Sequence, residues 1–174
     1  MCSSDLPAGD TVLVSGATSG VGAFAVQLAA ARDATVIATA RPGAATDHVR
    51  GLGAAHVVDH TRDLATQLRA IAPGGVDVVL HFAGDPLTLA DLLVEDGRFV
   101  SLLGVGPDQF PDCRITARAV FATPDRQLLE SLAGLVASGR LQVPVHHWYR
   151  LDEAPQVFAD FAAGKLGKLG VRTA

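Results

Sequence analysis

Apolar positions along this chain follow two alternating periods. Val12-Leu13-Val14 is an unbroken apolar run inside Thr11–Ser15, the pattern of a strand buried on both faces. Beyond a glycine-rich turn, residues 24–31 are alanine-rich and helix-favouring. Thr35–Thr39 is a second, β-branched strand, ended by Arg41-Pro42-Gly43. Residues 47–52 read as a helix closed by Gly53, and residues 55–58 as a short third strand. Leu64, Leu68 and Ile71 share one helical face, which stops at Pro73-Gly74-Gly75. Residues 76–82 predict a fourth strand, 87–94 a helix and 98–103 a fifth strand. Such regular alternation requires right-handed crossovers, giving an α/β fold with a doubly wound parallel sheet.

The last third predicts a strand over residues 115–121, whose alternation suits a sheet edge. Thr123 then caps a helix with Pro124 at its first position, and Leu128, Leu132, Leu135 and Val136 form its buried stripe. Arg126 and Glu130 are spaced for an i, i+4 ion pair. Residues 143–149 read as a strand interrupted by Pro144, Asp152 as the cap of a last helix bearing Val157, Phe158 and Phe161, and residues 168–171 as a short final strand. Residues 1–6 are unlike the rest and predict a non-native or disordered tail before a domain over residues 7–174.

Composition narrows the function classes. The 174 residues are 49% hydrophobic and 18% charged, which suits a globular core rather than disorder. The 14 basic residues are scattered and the net charge is -4, which argues against nucleic acid and anionic membrane surfaces and leaves small molecules as partners. No run of 18 apolar residues and no basic-then-apolar leader is present, so the expected location is the cytoplasm. Cys2 and Cys113 have no zinc spacing, and Cys113 has no His or Asp neighbour to activate it.

Gly16-Ala17-Thr18-Ser19-Gly20-Val21-Gly22 lies between the first strand and first helix, where a dinucleotide fold places its phosphate turn. Gly16 permits the tight turn, Gly20 admits a pyrophosphate close to backbone, and Gly22 allows close helix-to-strand packing. The helix N-terminus adds free N–H groups and a positive dipole end. The second strand ends Ala38-Thr39-Ala40-Arg41, with no carboxylate to hold both ribose hydroxyls and with a cation suited to a 2'-phosphate. That favours NADP(H), by about 1.5 to 3 kcal/mol for one charge-assisted bond; the other reading of Arg41 is a solvated loop arginine. Asp47 lies beyond Pro42-Gly43 and reads as a helix cap rather than a ribose ligand.

The order of motifs resembles the Rossmann-like NAD(P)-binding domain of the medium-chain dehydrogenase/reductase superfamily, in its zinc-independent quinone oxidoreductase-like branch. The likeness runs from Pro7 to Val171. It rests on Pro7-Ala8-Gly9-Asp10-Thr11-Val12-Leu13-Val14, the glycine turn, Leu52-Gly53-Ala54-Ala55-His56-Val57-Val58-Asp59, Gly75-Val76-Asp77-Val78-Val79-Leu80 and Asp96-Gly97-Arg98-Phe99-Val100-Ser101. Gly139-Arg140-Leu141 and Gly167-Lys168-Leu169 complete the series. The resemblance implies pyrophosphate contacts from Ala17, Thr18, Ser19, Gly20, Val21 and Gly22, and 2'-phosphate contacts from Thr39, Ala40 and Arg41. It also implies cofactor contacts from Phe82, Ala83 and Gly84 after the fourth strand and Leu103 and Gly104 after the fifth, with Phe121 near the nicotinamide. His60 stands where NADPH-dependent members often have a tyrosine, and His81 where relatives often carry Asp or Asn. Further implications are a GroES-like N-terminal catalytic domain that this chain lacks, and a homodimer paired through the edge segment 114–121.

The activity so implied is NADPH-dependent reduction of a quinone or an activated C=C, with little or no turnover expected of this chain by itself. A non-catalytic NADPH-binding module is the alternative. A short-chain dehydrogenase shares the glycine turn but needs a Tyr-x-x-x-Lys pair, and Glu153 follows Tyr149 where the lysine should be. His56 and His60 lie about 13 Å apart on an extended segment, too far to share a metal. His81, at a strand's carboxyl end, either touches cofactor or substrate or is a hydrogen-bonded structural histidine. His146 and His147 fall on opposite faces of a strand and so should not line one site.

Overall fold

The computed structural model describes residues 6–110 and 114–173. Five of the six tail residues, and both cysteines, lie outside these described residues. The chain runs β1 (Thr11–Ser15), α1 (Gly22–Ala30), β2 (Thr35–Thr39), α2 (Ala44–Gly51), β3 (His56–Val58), α3 (Leu64–Ile71), β4 (Val76–His81), α4 (Pro86–Ala90), β5 (Leu93–Ser101) and β6 (Ile115–Ala119). These six strands form one parallel sheet in the order β3-β2-β1-β4-β5-β6, the doubly wound arrangement expected. Then come α5 (Arg126–Ala137), β7 (Val145–Arg150), α6 (Ala154–Ala163) and β8 (Lys168–Arg172), with β7 and β8 paired in a separate parallel ribbon.

Pleating sorts the apolar run of β1 into two cores. Val12 and Val14 join Val36, Ala38, Ala23, Val26 and Val49 on one face. Leu13 joins Ile37, Val79, Phe99, Leu68 and Leu89 on the other. Both faces are therefore dry, as the unbroken run requires. At the amino ends of the strands, Asp10 is paired with Arg98 and the Thr11 N–H donates to the Asp77 carboxylate at 2.7 Å.

Several boundaries depart from expectation. The helix anticipated over 87–94 is only Pro86–Ala90, because the backbone beyond it is taken by the sheet: the Val76 N–H donates to the Leu92 carbonyl at 2.9 Å and Val76 pairs with Leu93. Gly75 makes this possible, since its φ of 104° and a Cβ position 2.8 Å from the Leu92 oxygen both exclude other residues. The caps are aspartates. Asp63, Asp85 and Asp125 accept from the backbone N–H groups of Thr66, Thr88 and Leu128 and start α3, α4 and α5. Asp125 thus displaces Thr123 as the cap. Asp47 lies inside the first turn of α2, whose N-cap is Gly43. Asp152 does not cap α6 but pairs with the Arg150 guanidinium at 3.0 Å.

The stripe on α5 exists but is not buried: no α5 residue is, Leu128 is 55% exposed and Val136 also faces out. Phe158 and Phe161 on α6 are likewise exposed. The tether of this region to the main sheet is polar and local. The Gln27 amide on α1 brackets Gln142, accepting from its N–H at 2.8 Å and donating to its carbonyl at 3.0 Å. Leu141 beside it is buried, and the Gly167 N–H donates to the Thr18 carbonyl at 2.7 Å.

The two regions should respond differently to truncation. Leu13→Ala should cost about 2 to 5 kcal/mol in urea unfolding, whereas Leu129→Ala on exposed α5 should stay within about 0.5 kcal/mol.

Candidate functional site

Strand order reverses between β1 and β4, and the loops leaving their carboxyl ends open the crevice where doubly wound sheets bind ligands. Ser15 pairs with His81 and His81 with Ser101, so the three loops start level with one another. The first loop is the glycine turn. Gly16 has φ of 81°, and the Ser19 N–H donates back to its carbonyl at 3.0 Å. A Cβ on Gly22 would lie 2.2 Å from the Gly16 oxygen, so only glycine lets α1 start this close to β1. The Ser19 hydroxyl accepts from the Gly22 N–H at 2.9 Å. The N–H groups of Gly20 and Val21 meet no acceptor among the described residues, leaving two donors at the positive end of α1. A ligand phosphate fits this cradle.

Lys168 was not anticipated here. The start of β8 returns over the turn, so that a Cβ on Gly20 would lie 3.2 Å from Lys168 Nζ, which also sits 5.4 Å from the Phe24 ring centroid. The Gly167-Lys168-Leu169 motif was visible in the sequence, but no local pattern reveals that its strand comes back to the first helix.

Thr39 was expected at a 2'-phosphate. Instead it is buried, its hydroxyl accepting from the Gly16 N–H at 2.9 Å and facing the Val14 carbonyl at 3.4 Å, so it shapes the turn. Ala40 is buried and bonds its N–H to the Val58 carbonyl. Arg41 is exposed, and its guanidinium makes no hydrogen bond or ion pair among the described residues. Thr39 pairs with Val58, so Arg41 and His60 each lie two residues beyond that rung, in the loops leaving neighbouring strands. Thr61 donates to Asp59 from both backbone and hydroxyl, which shapes the turn carrying His60 and holds the Asp59 carboxyl below its usual range.

On the other half of the crevice, the Phe82 N–H donates to the Ser15 carbonyl and the Ser15 hydroxyl to the Ala83 carbonyl at 2.6 Å. Gly84 follows with φ of 93°. Leu103 and Gly104 are exposed beyond β5, and Phe121 is 75% exposed beyond β6. His81 is buried with both ring nitrogens bonded, to Ser101 Oγ and to the Gly84 carbonyl, which makes it the structural histidine of the two readings.

His146 and His147 do line one cavity, of about 250 Å³, together with Tyr149, Asp160 and Lys165. A register shift between Val145 and His147 sets His146 outside the regular alternation that would have separated them. Among the described residues no three His, Cys, Asp or Glu side chains group as metal ligands. The Tyr149 hydroxyl donates to Asp160 at 2.5 Å, and this bond, aided by burial, pushes the phenol up to about 12. Asp160 is lowered by the same bond and by Gln156. A phenol raised on folding stabilises the fold fully below the unfolded value of about 10 and loses that contribution as pH climbs through its folded value. Tyr149 is the chain's one tyrosine, so alkaline absorbance titration reads it alone. The midpoint should sit near 12 in the native chain and fall towards about 10 in Asp160→Asn.

Residues 52–169 match the zinc-binding dehydrogenase family. The chain is 37% identical over 177 residues to erythronolide synthase EryA2 of Saccharopolyspora erythraea, covering 94% of this chain and 5% of the synthase. It is 33% identical over 171 residues to a mycocerosic acid synthase-like polyketide synthase of Mycolicibacterium smegmatis, covering 86% of this chain and 8% of that protein. Among solved structures, the CurK enoyl reductase superposes with a TM-score of 0.82 at 26% identity, over 97% of this chain and 56% of that one. The quinone oxidoreductase from Coxiella burnetii gives 0.81 at 26%, over 98% and 55%. This chain thus spans about half the length of the solved enzymes and less than a tenth of the synthases. No helix among the described residues is long and apolar enough to cross a membrane. With its doubly wound sheet and the match over residues 52–169, the chain belongs to the zinc-binding dehydrogenase family, within the medium-chain dehydrogenase/reductase superfamily.

Proposed function

We propose that this chain is the cofactor-binding domain of an NADPH-dependent reductase acting on a quinone or an activated C=C. The observation that carries the reading is the glycine turn between β1 and α1, with two free N–H donors beneath Lys168 and with Arg41, rather than an acid, beyond β2. Bound NADPH supplies the hydride. The chain's own residues bind and orient: the Gly20 and Val21 N–H groups and Lys168 hold the pyrophosphate, while Arg41, with His60 in the turn after β3, holds the 2'-phosphate. Leu103, Gly104 and Phe121 line the nicotinamide end. Substrate pocket and proton chemistry belong to a GroES-like domain outside this chain, so the chain alone binds cofactor with little or no turnover. The enoyl reductase and quinone oxidoreductase among the similar structures support this substrate class.

The reading places the protein in the zinc-independent branch. It also gives a cytoplasmic homodimer. The free edge of β6 alternates exposed and half-buried residues along Ile115–Ala119, a strand ready to pair with a second copy.

Calorimetric titration with NADPH and, separately, with NADH tests the cofactor assignment. NADPH should bind about tenfold or more tightly than NADH, and Arg41→Ala should erase that preference. Lys168→Ala should weaken both cofactors alike, because the pyrophosphate is common to them. Equal affinities in the native chain would overturn the NADPH assignment.

A further inference from the structure

Four buried polar side chains occupy equivalent places. Ser15, Thr39, His81 and Ser101 are the last residues of β1, β2, β4 and β5, four adjacent strands. Each makes a hydrogen bond to a loop above or beside it. His81 is the one that bridges two loops.

One of its ring protons follows from its partners. The Gly84 carbonyl, 3.1 Å from Nε2, can only accept, so Nε2 carries the proton. In the neutral imidazole Nδ1 accepts from the Ser101 hydroxyl at 3.0 Å, and the Leu103 N–H donates to that same hydroxyl oxygen at 3.0 Å. One directed chain therefore runs from Leu103 through Ser101 and His81 to Gly84. Phe99, fully buried with its ring centroid 5.2 Å away, packs against the imidazole and fixes its plane. The chain links the loop after β4 to the loop after β5.

These loops lie on the side of the switch point opposite Arg41. A dinucleotide laid across the crevice with its adenosine phosphate at Arg41 brings its other nucleoside there. We infer that His81 is a positioning residue for the nicotinamide half of the cofactor, a neutral Nε2–H imidazole that holds the Gly84 and Leu103 loops at one fixed separation. The inference rests on the cofactor reading above. A Gly84 carbonyl freed of its donor, or a Leu103 N–H freed of Ser101, would let the two rims move independently and loosen that half alone.

Two ligands and three variants test this. NADPH spans the whole crevice, whereas 2',5'-ADP carries the adenosine and its phosphates without the nicotinamide. His81→Ala should weaken NADPH about tenfold, the loss expected of a pair of buried hydrogen bonds, and leave 2',5'-ADP within about twofold. His81→Gln, whose amide can still reach Gly84, and His81→Asn, which can still accept from Ser101, should each recover part of the loss. Long-range proton–nitrogen NMR of the native chain should show the Nε2–H tautomer, a readout that does not depend on any variant folding. An Nδ1–H tautomer, equal weakening of both ligands, no recovery in either amide variant, or NADPH affinity indifferent to residue 81 would each overturn the role. Failure of the native chain to bind either ligand would overturn the cofactor reading itself, and this role with it.

Discussion

A polar side chain in a dry core is tolerated only when its hydrogen bonds are made. In this protein that constraint is met at one level of the sheet, the carboxyl ends of β2, β1, β4 and β5. Thr39 holds the Gly16 N–H, Ser15 the Ala83 carbonyl, and His81 with Ser101 the backbone of Gly84 and Leu103. Below this level an apolar core lies on each face of the sheet, down to Asp77 and Arg98 near the amino ends. The bonds that keep these four groups satisfied are also the bonds that shape the crevice, so packing and site geometry are set by the same atoms.

The architecture was legible because parallel strands buried on both faces leave plain apolar runs. Thr11–Ser15 and Thr35–Thr39 coincide with the observed β1 and β2. Misreadings cluster where a distant segment decides a local conformation. The helix read over 87–94 ends early because β4 claims the backbone at Leu92 and Leu93, where β-branched Val94 suits a strand better than a helix. The stripe on α5 has helical spacing, but spacing does not provide a surface to bury it. Thr39, which the resemblance sets beside a 2'-phosphate, turns its hydroxyl inward, where the Gly16 N–H needs an acceptor within the fold. The glycine turn was readable because the positive φ at Gly16 and the 2.2 Å approach at Gly22 each demand glycine. Lys168 was not, because its place depends on where a remote ribbon lands.

That ribbon is held differently from the sheet. The sheet rests on two apolar cores, while β7, β8 and their helices are joined to it through Gln27 with Gln142, buried Leu141, and the Gly167 bond to Thr18. Phe158, Phe161 and Trp148 remain largely open to solvent. The ribbon is ordered within itself by close fits, as where Gly170 leaves room for the Trp148 ring, which would lie 2.4 Å from a Cβ there. A hydrophobic interior and a polar clasp thus coexist in one chain and do different work.

The clasp has a consequence for how the site is assembled. Gly20 and Lys168 meet from opposite ends of the chain, while the glycine turn itself is built from neighbours. Closing so long a loop is among the slower steps of folding. As the chain emerges from the ribosome, the sheet can form around its phosphate turn well before β8 exists. The turn therefore gains its lysine last, and a cofactor arriving early would meet the backbone donors without the cation.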